Sequence, residues 1–226
     1  MGIFSEIIYR PLFNLTIGLY NTVGFQDLGL TIVLMTVVVR LLLLPMSLKT
    51  ARTQKAIAQL NPEIEKLKAQ HKNDMSAQSE AVMRLYREKG VSPLGGCLPL
   101  LLQFPLLFGL YRVFINIFNP ESLNSLYAFV NRPDAIHNLV LGHFDISSAS
   151  PVLAIGAGVT QFIQGYLTSH QQQGQNNQAA AMGRQMMYLL PIMIVVIGWN
   201  LPGGLALYWI ATTLFSIAEQ LYLKRS

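Results

Sequence analysis

Five segments of 17 or more residues carry one charge or none, and this feature constrains the fold more than any other. They are residues 28–48, 94–116, 151–168, 184–200 and 203–222. At 1.5 Å of rise per helical residue, each approaches or exceeds the length needed to cross a hydrocarbon core about 30 Å thick. Only 12% of the chain is charged, against about a quarter of an average soluble domain. The sequence therefore predicts an all-α polytopic membrane protein with a five-helix transmembrane core.

Basic residues are distributed unevenly between the connections. Nine lie within 49–93, and Arg184, Lys224 and Arg225 bring that side to twelve, whereas the opposite side has Arg10 and Arg132. Cytoplasmic loops of membrane proteins carry the excess of Lys and Arg. With five spans, this asymmetry predicts an N-terminus outside and a C-terminus in the cytoplasm.

Residues 1–27 predict an amphipathic helix and a linker on the outer, periplasmic side. Apolar side chains recur there at helical spacing, while Glu6 and Arg10 interrupt them and Pro11 splits the stretch. A helix with one apolar and one charged face lies in the membrane interface rather than across the bilayer. The first crossing is therefore expected at 28–48.

Residues 49–93 predict a cytoplasmic helical hairpin. Apolar residues recur at spacings of three and four from Ile57 to Leu67, and Asn61-Pro62 marks a helix restart because proline favours the first helical turn. A turn at 72–74 precedes a second apolar face at 82–86. Two antiparallel helices of this kind share only a narrow apolar seam, so we expect the hairpin to be mobile.

Two further connections differ in character. Residues 117–150 contain short helical patterns from Leu123 to Val130 and from Ala135 to Leu141, and they predict an external helical segment. Residues 169–183 are rich in Gln and Asn and predict a disordered, polar cytoplasmic loop.

Arg40 lies inside the first predicted span, eight residues from its cytoplasmic end, which is about 12 Å at helical rise. An arginine at this depth costs about 2.5–3.5 kcal/mol on insertion scales, so it must face protein or water. Its side chain could snorkel to the interface, pair within the bundle, or line a hydrated cavity open to the cytoplasm. The first four spans contain no Asp or Glu, and Glu219 lies near the cytoplasmic end of the fifth, which favours the cavity.

Other polar side chains lie at similar depths in the predicted spans. They are Thr36, Gln103, Gln161, Gln164, Tyr208, Trp209, Thr212 and Ser216. Each alone has an ordinary explanation, because hydroxyls bond to their own helix, amides link helices and aromatic rings line the interface. Convergence around Arg40 would instead create a wet, positive groove.

The spans lack the groups that intramembrane catalysis requires. A serine protease needs a Ser/His pair and an aspartyl protease needs two buried carboxylates, and the spans contain neither. The four histidines lie in connections without metal-ligand spacing, and the single cysteine, Cys97, is predicted to be a core residue. We therefore expect no catalytic residue, no metal site and no cofactor.

Several motifs occur in order over about residues 24–223. They are the arginine segment 36–45, Asn61-Pro62, Val91 to Pro99 followed by Gln103-Phe104-Pro105, Gly158 to Gln164, and Pro202 to Trp209. Together they resemble the YidC family of membrane protein insertases, which includes mitochondrial and chloroplast relatives.

The resemblance implies a five-helix core around a hydrophilic groove that opens to the cytoplasm and laterally to lipid and is closed on the outer side. Arg40 matches the groove arginine. The other residues that match groove or substrate-path positions are Thr36, Gln103, Gln164, Tyr208 and Trp209. In such a groove, water and a fixed positive charge replace part of the hydration that a polar tail loses.

The resemblance further implies an insertase and chaperone, multi-pass in the bacterial inner membrane, that works on nascent membrane proteins without a cofactor. The Sec translocon, the ribosome and signal-recognition targeting factors are candidate partners, the lipid bilayer is the medium, and no nucleic acid is expected to be recognised by sequence. A small solute channel or transporter is the main alternative, and a structural assembly subunit is a third. Whether hydrated access to Arg40 ends inside the bilayer or continues outward discriminates between insertase and channel.

Overall fold

A computed structural model describes residues 2–72, 74–92, 98–140, 144–170 and 178–225. Its helices are α1 (Arg10–Asn21), α2 (Leu28–Gln59), α3 (Asn61–Gln70), α4 (Met75–Glu88), α5 (Leu98–Asn116), α6 (Pro151–His170), α7 (Gln178–Gly198) and α8 (Gly203–Arg225). Cys97 and the centre of the polar loop predicted at 169–183 lie outside the described residues.

The N-terminal helix continues through Pro11, which does not split it as the sequence suggested. A π-turn at Ser5–Tyr9 leads directly into α1. Proline lacks an N–H and crowds the carbonyl of the preceding turn, and a wider turn accommodates both effects. The buried apolar residues of α1 are Leu12, Phe13, Ile17 and Tyr20. They pack against α2 and α5, so the apolar face of α1 covers protein.

Helix α2 extends well beyond the predicted first span. It begins after Asp27, whose carboxylate accepts a hydrogen bond from the N–H of Leu30 at 2.8 Å. Pro45 lies inside the helix without ending it. The helix ends at Gln59, and α3 begins at Asn61, where the sequence predicts a restart.

Helices α3 and α4 fold back on each other as an antiparallel hairpin. Asp74 caps α4 by accepting hydrogen bonds from the N–H groups of Ser76 and Ala77. An ion pair of 3.2 Å between Lys89 and Glu63 joins the end of α4 to the start of α3. The buried residues of the seam are Leu60, Ile64 and Leu85.

Helices α2, α5, α6, α7 and α8 form a bundle. Helix α6 packs extensively against both α7 and α8, and α2 packs against α8. Small residues allow this close packing, because a Cβ on Gly158 would overlap Cγ2 of Val195. Helix α6 therefore separates α7 from α8 although the two are joined by a short turn.

Among the described residues, one helix is long and apolar enough to cross a membrane by length and mean hydropathy alone, and it is Leu28–Gln59. Met187–Gly198 is a shorter apolar stretch. Helices α6 and α8 carry amides and hydroxyls within apolar sequence, which lowers their mean hydropathy. Helices α5 to α8 correspond in position to the other four predicted spans, and their crossing of a membrane stays a prediction.

The connection between α5 and α6 differs from the helical segment predicted at 117–150. It contains a 3-10 turn, Pro120–Ser125, and an antiparallel pair of short strands, β1 (Leu139–Val140) and β2 (Phe144–Asp145). The helices predicted from Leu123 and from Ala135 are wrong because α1 takes up the backbone groups they would need. Asn14 accepts from the N–H of Tyr127 at 2.6 Å, and the Tyr20 hydroxyl accepts from the N–H of His137 at 3.0 Å.

We call the bundle end that holds the starts of α2, α6 and α8 the capped end, and the opposite end the hairpin end. At the capped end, the N–H groups of Gly203 and Gly204 donate to the carbonyls of Ser148 and Ile146 at 2.8 and 3.0 Å. The first N–H groups of α8 thus find partners outside their own helix. The main apolar core lies at this end and includes Phe13, Ile17, Leu28, Ile32, Leu110, Val113, Phe114, Ile117, Ile146 and Leu205.

Candidate functional site

Arg40 bonds across the α2–α8 interface. Its Nε donates a hydrogen bond of 2.7 Å to Oγ1 of Thr212, a residue only 6% exposed. The ion pairs within the described part of the chain are Arg10–Glu6, Arg84–Glu88 and Lys89–Glu63. None of these includes Arg40, so its recorded partner is a neutral hydroxyl at its own depth in the bundle.

The Tyr208 hydroxyl extends this contact to a third helix. It accepts a hydrogen bond of 2.9 Å from Nε2 of Gln103, and it interacts with the Thr212 side chain on its own helix. Tyr208 and Thr212 are one turn apart on α8, so their side chains share a face. We call the four side chains Arg40, Thr212, Tyr208 and Gln103 the polar network. It joins α2, α8 and α5.

The register of α2 against α8 explains why these residues meet. The two helices run in the same direction from the capped end, and Arg40–Thr212 and Ser47–Glu219 are both contacts between residues 172 positions apart. The second contact therefore follows the first by seven residues on both helices. A seven-residue repeat keeps one face of each of two packed helices in contact, as in a coiled coil.

The polar network lies where the apolar core ends. Met35 and Tyr208 are fully buried, whereas every residue of α2 from Arg40 to Lys49 is half-buried or exposed. On α5, Leu110 is fully buried in the core, while Gln103, two turns nearer the hairpin end, is half-buried. The bundle is thus tightly packed on one side of the network and more open on the other.

The remaining predicted groove residues make other contacts. Thr36 is buried and donates to the carbonyl of Ile32 in its own helix at 2.7 Å. Gln164 accepts a hydrogen bond of 3.1 Å from Gln161, one turn away on α6. Trp209 is half-buried on α8, rotated about 100° from Tyr208 at 3.6 residues per turn.

Sequence reasoning did not assign Thr212 or the Ser47–Glu219 pair to the groove. Ser47 donates a hydrogen bond to the carboxylate of Glu219 near the hairpin end of both helices. The available signal was the matching seven-residue separation of Arg40 from Ser47 and of Thr212 from Glu219. It becomes informative only when α2 and α8 are known to be parallel neighbours.

The α3–α4 hairpin provides a second concave surface, with a cavity of about 590 Å³. Its charged lining residues are Glu63, Lys66, Glu80, Arg84 and Glu88, and His71 also lies there. Burial in the seam raises the pKa of the Tyr86 hydroxyl. Carboxylates and cations alternate along this lining, so the surface does not select one sign of charge.

Two further titrating groups outside the predicted spans have perturbed pKa values. Hydrogen bonds from the side chain and N–H of Ser147, at 2.6 and 2.8 Å, lower the pKa of Asp145. Burial raises the pKa of Tyr9. Both groups stabilise local structure near the capped end and lie away from the polar network.

Comparison with known proteins identifies the family. Residues 18–226 match the family model described as 60Kd inner membrane protein. The chain is 32% identical over 220 residues to the membrane protein insertase YidC of Fusobacterium nucleatum, covering 96% of this chain and 97% of that protein. The chain belongs to the YidC family of membrane protein insertases. The resemblance inferred from the motifs is thereby confirmed.

Other YidC-family proteins show how far the similarity extends. The insertase MisCA of Bacillus subtilis is 34% identical over 226 residues, which cover 97% of this chain and 78% of MisCA. A crystal structure of an active YidC insertase with its first transmembrane domain resolved has a TM-score of 0.66 and 26% identity, covering 98% of this chain and 47% of that one. The all-helical fold is therefore that of a polytopic, inner-membrane insertase family.

The family also defines the class of activity. YidC-family insertases act on nascent membrane proteins and are not enzymes. This chain is accordingly a membrane protein insertase, and the expectation of a non-enzymatic protein is confirmed by its family.

Proposed function

We propose that this insertase carries short polar tails of nascent membrane proteins to mid-depth in the bilayer along a hydrophilic groove that ends at the polar network. The groove is bordered by α2, α5 and α8, opens to the cytoplasm at the hairpin end, and is closed by the apolar core at the capped end. Trp209 and Gln164 line the substrate path, and Thr36 lies one turn above Arg40. The substrate's apolar helix leaves sideways into lipid.

The observation that carries this proposal is the position of the polar network at the boundary of the core. Arg40, Thr212, Tyr208 and Gln103 connect three helices by hydrogen bonds, and packing loosens on the hairpin side of Arg40. Arg40 is half-buried, and its guanidinium has five N–H donors, of which Nε–H is bonded to Thr212. Water that enters from the cytoplasm supplies acceptors for the other donors.

The charge of Arg40 lowers the cost of moving an acidic tail. A carboxylate within 4 Å of the guanidinium gains roughly 4 kcal/mol at an effective dielectric constant of about 20. Water around the network replaces part of the remaining hydration and shortens the dry path. Burial of the substrate's own helix in lipid then contributes about 25 cal/mol per Å² of apolar surface.

The orientation follows from the basic residues. With five spans across the bacterial inner membrane, α1 and the strands lie outside, and the α3–α4 hairpin and the C-terminus lie in the cytoplasm. The hairpin receives nascent chains, and the Sec translocon, the ribosome and signal-recognition factors are its candidate partners. The twelve basic residues on the hairpin side and the two on the opposite side support this topology.

Site-specific crosslinking tests the substrate path. A photoreactive amino acid at Gln103 or Trp209 should crosslink to a stalled nascent membrane protein, and one at Val152, which is exposed near the capped end, should not. Crosslinking from Val152 alone would contradict the proposal. In proteoliposomes, Arg40→Ala should reduce insertion of an acidic-tailed substrate more than that of a neutral-tailed one, while Arg40→Lys keeps most activity. An equal loss of insertion for both substrates would contradict an electrostatic role of Arg40.

Thiol labelling separates an insertase from a solute channel. A cysteine at Gln103 should react with an impermeant reagent from the cytoplasmic side, because the groove is hydrated. A cysteine at Leu110, which is fully buried in the core, should stay protected. Reaction at both positions would favour a continuous channel.

A further inference from the structure

Ser47 and Glu219 form a second polar contact on the α2–α8 seam that the proposed function leaves unused. Ser47 donates its hydroxyl to the Glu219 carboxylate, one heptad beyond Arg40–Thr212. The two contacts are separated by about 10 Å along the helices at 1.5 Å per residue. Glu219 is the only acidic residue in the five predicted spans.

The carboxylate of Glu219 retains capacity for a cationic partner. Among the described residues, Ser47 donates its hydroxyl to this carboxylate, and the ion pairs there do not include Glu219. Arg40 acts on the carboxylate only at longer range. An ionised carboxylate has two oxygens and about four acceptor positions. A half-buried carboxylate within a membrane segment is costly unless it has a partner, and such residues commonly serve function.

We propose that Glu219 binds the basic residue that follows a substrate's transmembrane helix on its cytoplasmic side, an inference that rests on the proposed function. Glu219 lies three residues before the end of the fifth predicted span, the level at which Lys or Arg flanks an inserted helix. The ligand is the ammonium or guanidinium group of the nascent chain. Ser47 fixes the carboxylate against α2 and leaves acceptor positions for this cation.

Arg40 and Glu219 therefore interact with oppositely charged parts of the substrate. Arg40 attracts an acidic tail to mid-depth and repels a basic one, whereas Glu219 holds basic residues at the hairpin end. The two charges still attract each other across the seam, but the contacts are about 10 Å apart at 1.5 Å per residue, so each can meet a different part of the substrate. A segment with an acidic tail and a basic flank is therefore inserted with its flank kept in the cytoplasm.

The test uses single-span substrates that combine an acidic or neutral tail with a flank of two Lys or two Gln. The full-length protein is reconstituted in zwitterionic lipid, which removes anionic headgroups as competing partners for the flank. Glu219→Gln should lower the ratio of Lys-flank to Gln-flank insertion about two- to fivefold, the range of a partly exposed ion pair. Glu121→Gln, an exposed residue near the capped end, makes the same charge change and should keep the ratio. An unchanged ratio in Glu219→Gln would overturn the proposal.

Ser47→Ala separates the charge of Glu219 from a merely structural contact. It removes the hydrogen bond that fixes the carboxylate but keeps the charge, so the Lys-flank preference should be reduced less than in Glu219→Gln. A loss equal to that of Glu219→Gln would show that the contact itself matters and would overturn the binding role. Glu219→Lys reverses the charge and should favour insertion of substrates with a flank of two Glu. The absence of such a preference would also contradict the proposal.

Comparing acidic-tailed with neutral-tailed substrates tests the groove mechanism separately from the proposed role of Glu219. If Arg40→Ala abolishes the tail preference while Glu219→Gln leaves the flank preference intact, only the Glu219 site is wrong. If Arg40→Ala does not change the tail preference, the groove mechanism itself is wrong.

Discussion

Thr212→Val removes the hydroxyl that receives the Arg40 Nε hydrogen bond and leaves the side-chain shape nearly unchanged. The lost contact measures 2.7 Å, and Thr212 is only 6% exposed. The Tyr208 hydroxyl also loses its polar neighbour on α8 in this variant. The guanidinium is then free to turn toward the hairpin end, away from the depth at which the proposed groove requires a positive charge.

The size of the effect follows from the cost of an unsatisfied buried donor, about 1–3 kcal/mol. Since 1.4 kcal/mol is a factor of ten, the native orientation of Arg40 becomes roughly 5- to 100-fold less favoured. Arg40 is half-buried, so groove water compensates in part, and we expect the lower end of that range. Insertion of an acidic-tailed substrate should fall about fivefold, with a much smaller change for a neutral tail.

Insertion into proteoliposomes, measured by protease protection of both substrates, provides the assay. Thr212→Ser keeps the hydroxyl and should retain the preference for acidic tails. Thr213→Val removes the hydroxyl of the adjacent buried residue and is the matched control. In an Arg40→Ala background, Thr212→Val should have no further effect on the ratio of the two substrates. A ratio in Thr212→Val equal to that in Thr213→Val would refute the reasoning.

Three further predictions concern topology, dynamics and packing. A cysteine at Ser76 should react with impermeant thiol reagents only from the cytoplasmic side, and one at Ser147 only from outside; the opposite pattern at either site would end the five-span topology. Amide hydrogens of 49–90 should exchange faster than those of the bundle, because the hairpin seam is small; equal protection would show stronger packing than we infer. Gly109→Ala should lower the melting temperature in detergent, because its Cβ would lie 2.7 Å from Cγ2 of Ile8 and overpacking costs about 1–3 kcal/mol. Gly18→Ala, with nothing within 4 Å of the added Cβ, should be neutral or stabilising, and an equal loss in both variants would contradict this account.

Local signals explain which parts of the fold the sequence predicts well. The restart at Asn61 depends on the adjacent proline and coincides with the start of α3. The turn before α4 depends on Asp74, which caps that helix with its own side chain. In both cases, the residues that decide the structure are neighbours in the chain, so a single sequence contains the necessary information.

The helices predicted in the connection between α5 and α6 are wrong for the opposite reason: distant residues decide the structure there. The pattern from Leu123 to Val130 has helical spacing, yet Asn14 takes the N–H of Tyr127 and also donates to the carbonyl of Ser125 at 3.1 Å. Those partners are more than 100 positions away, and the spacing of apolar residues carries no information about them. The same limit applies to predicting the contacts of Arg40. Its burial can be inferred from its position in the span, but its partner, Thr212, depends on the register of two helices that are distant in sequence.

In the proposed mechanism, the core at the capped end stabilises the bundle and the polar network binds the substrate, so different residues provide the two properties. At the capped end, a Cβ on Gly204 would lie 3.3 Å from both Ile32 and Phe114, so the starts of α2 and α8 and the end of α5 pack without room for a side chain. About one to three turns nearer the hairpin end, the same three helices are joined by the hydrogen bonds of the polar network in place of apolar contacts. Because hydrogen bonds to water and to a substrate tail are nearly equivalent in energy to those within the network, this half of the bundle can exchange partners while the sealed core holds the helices in place.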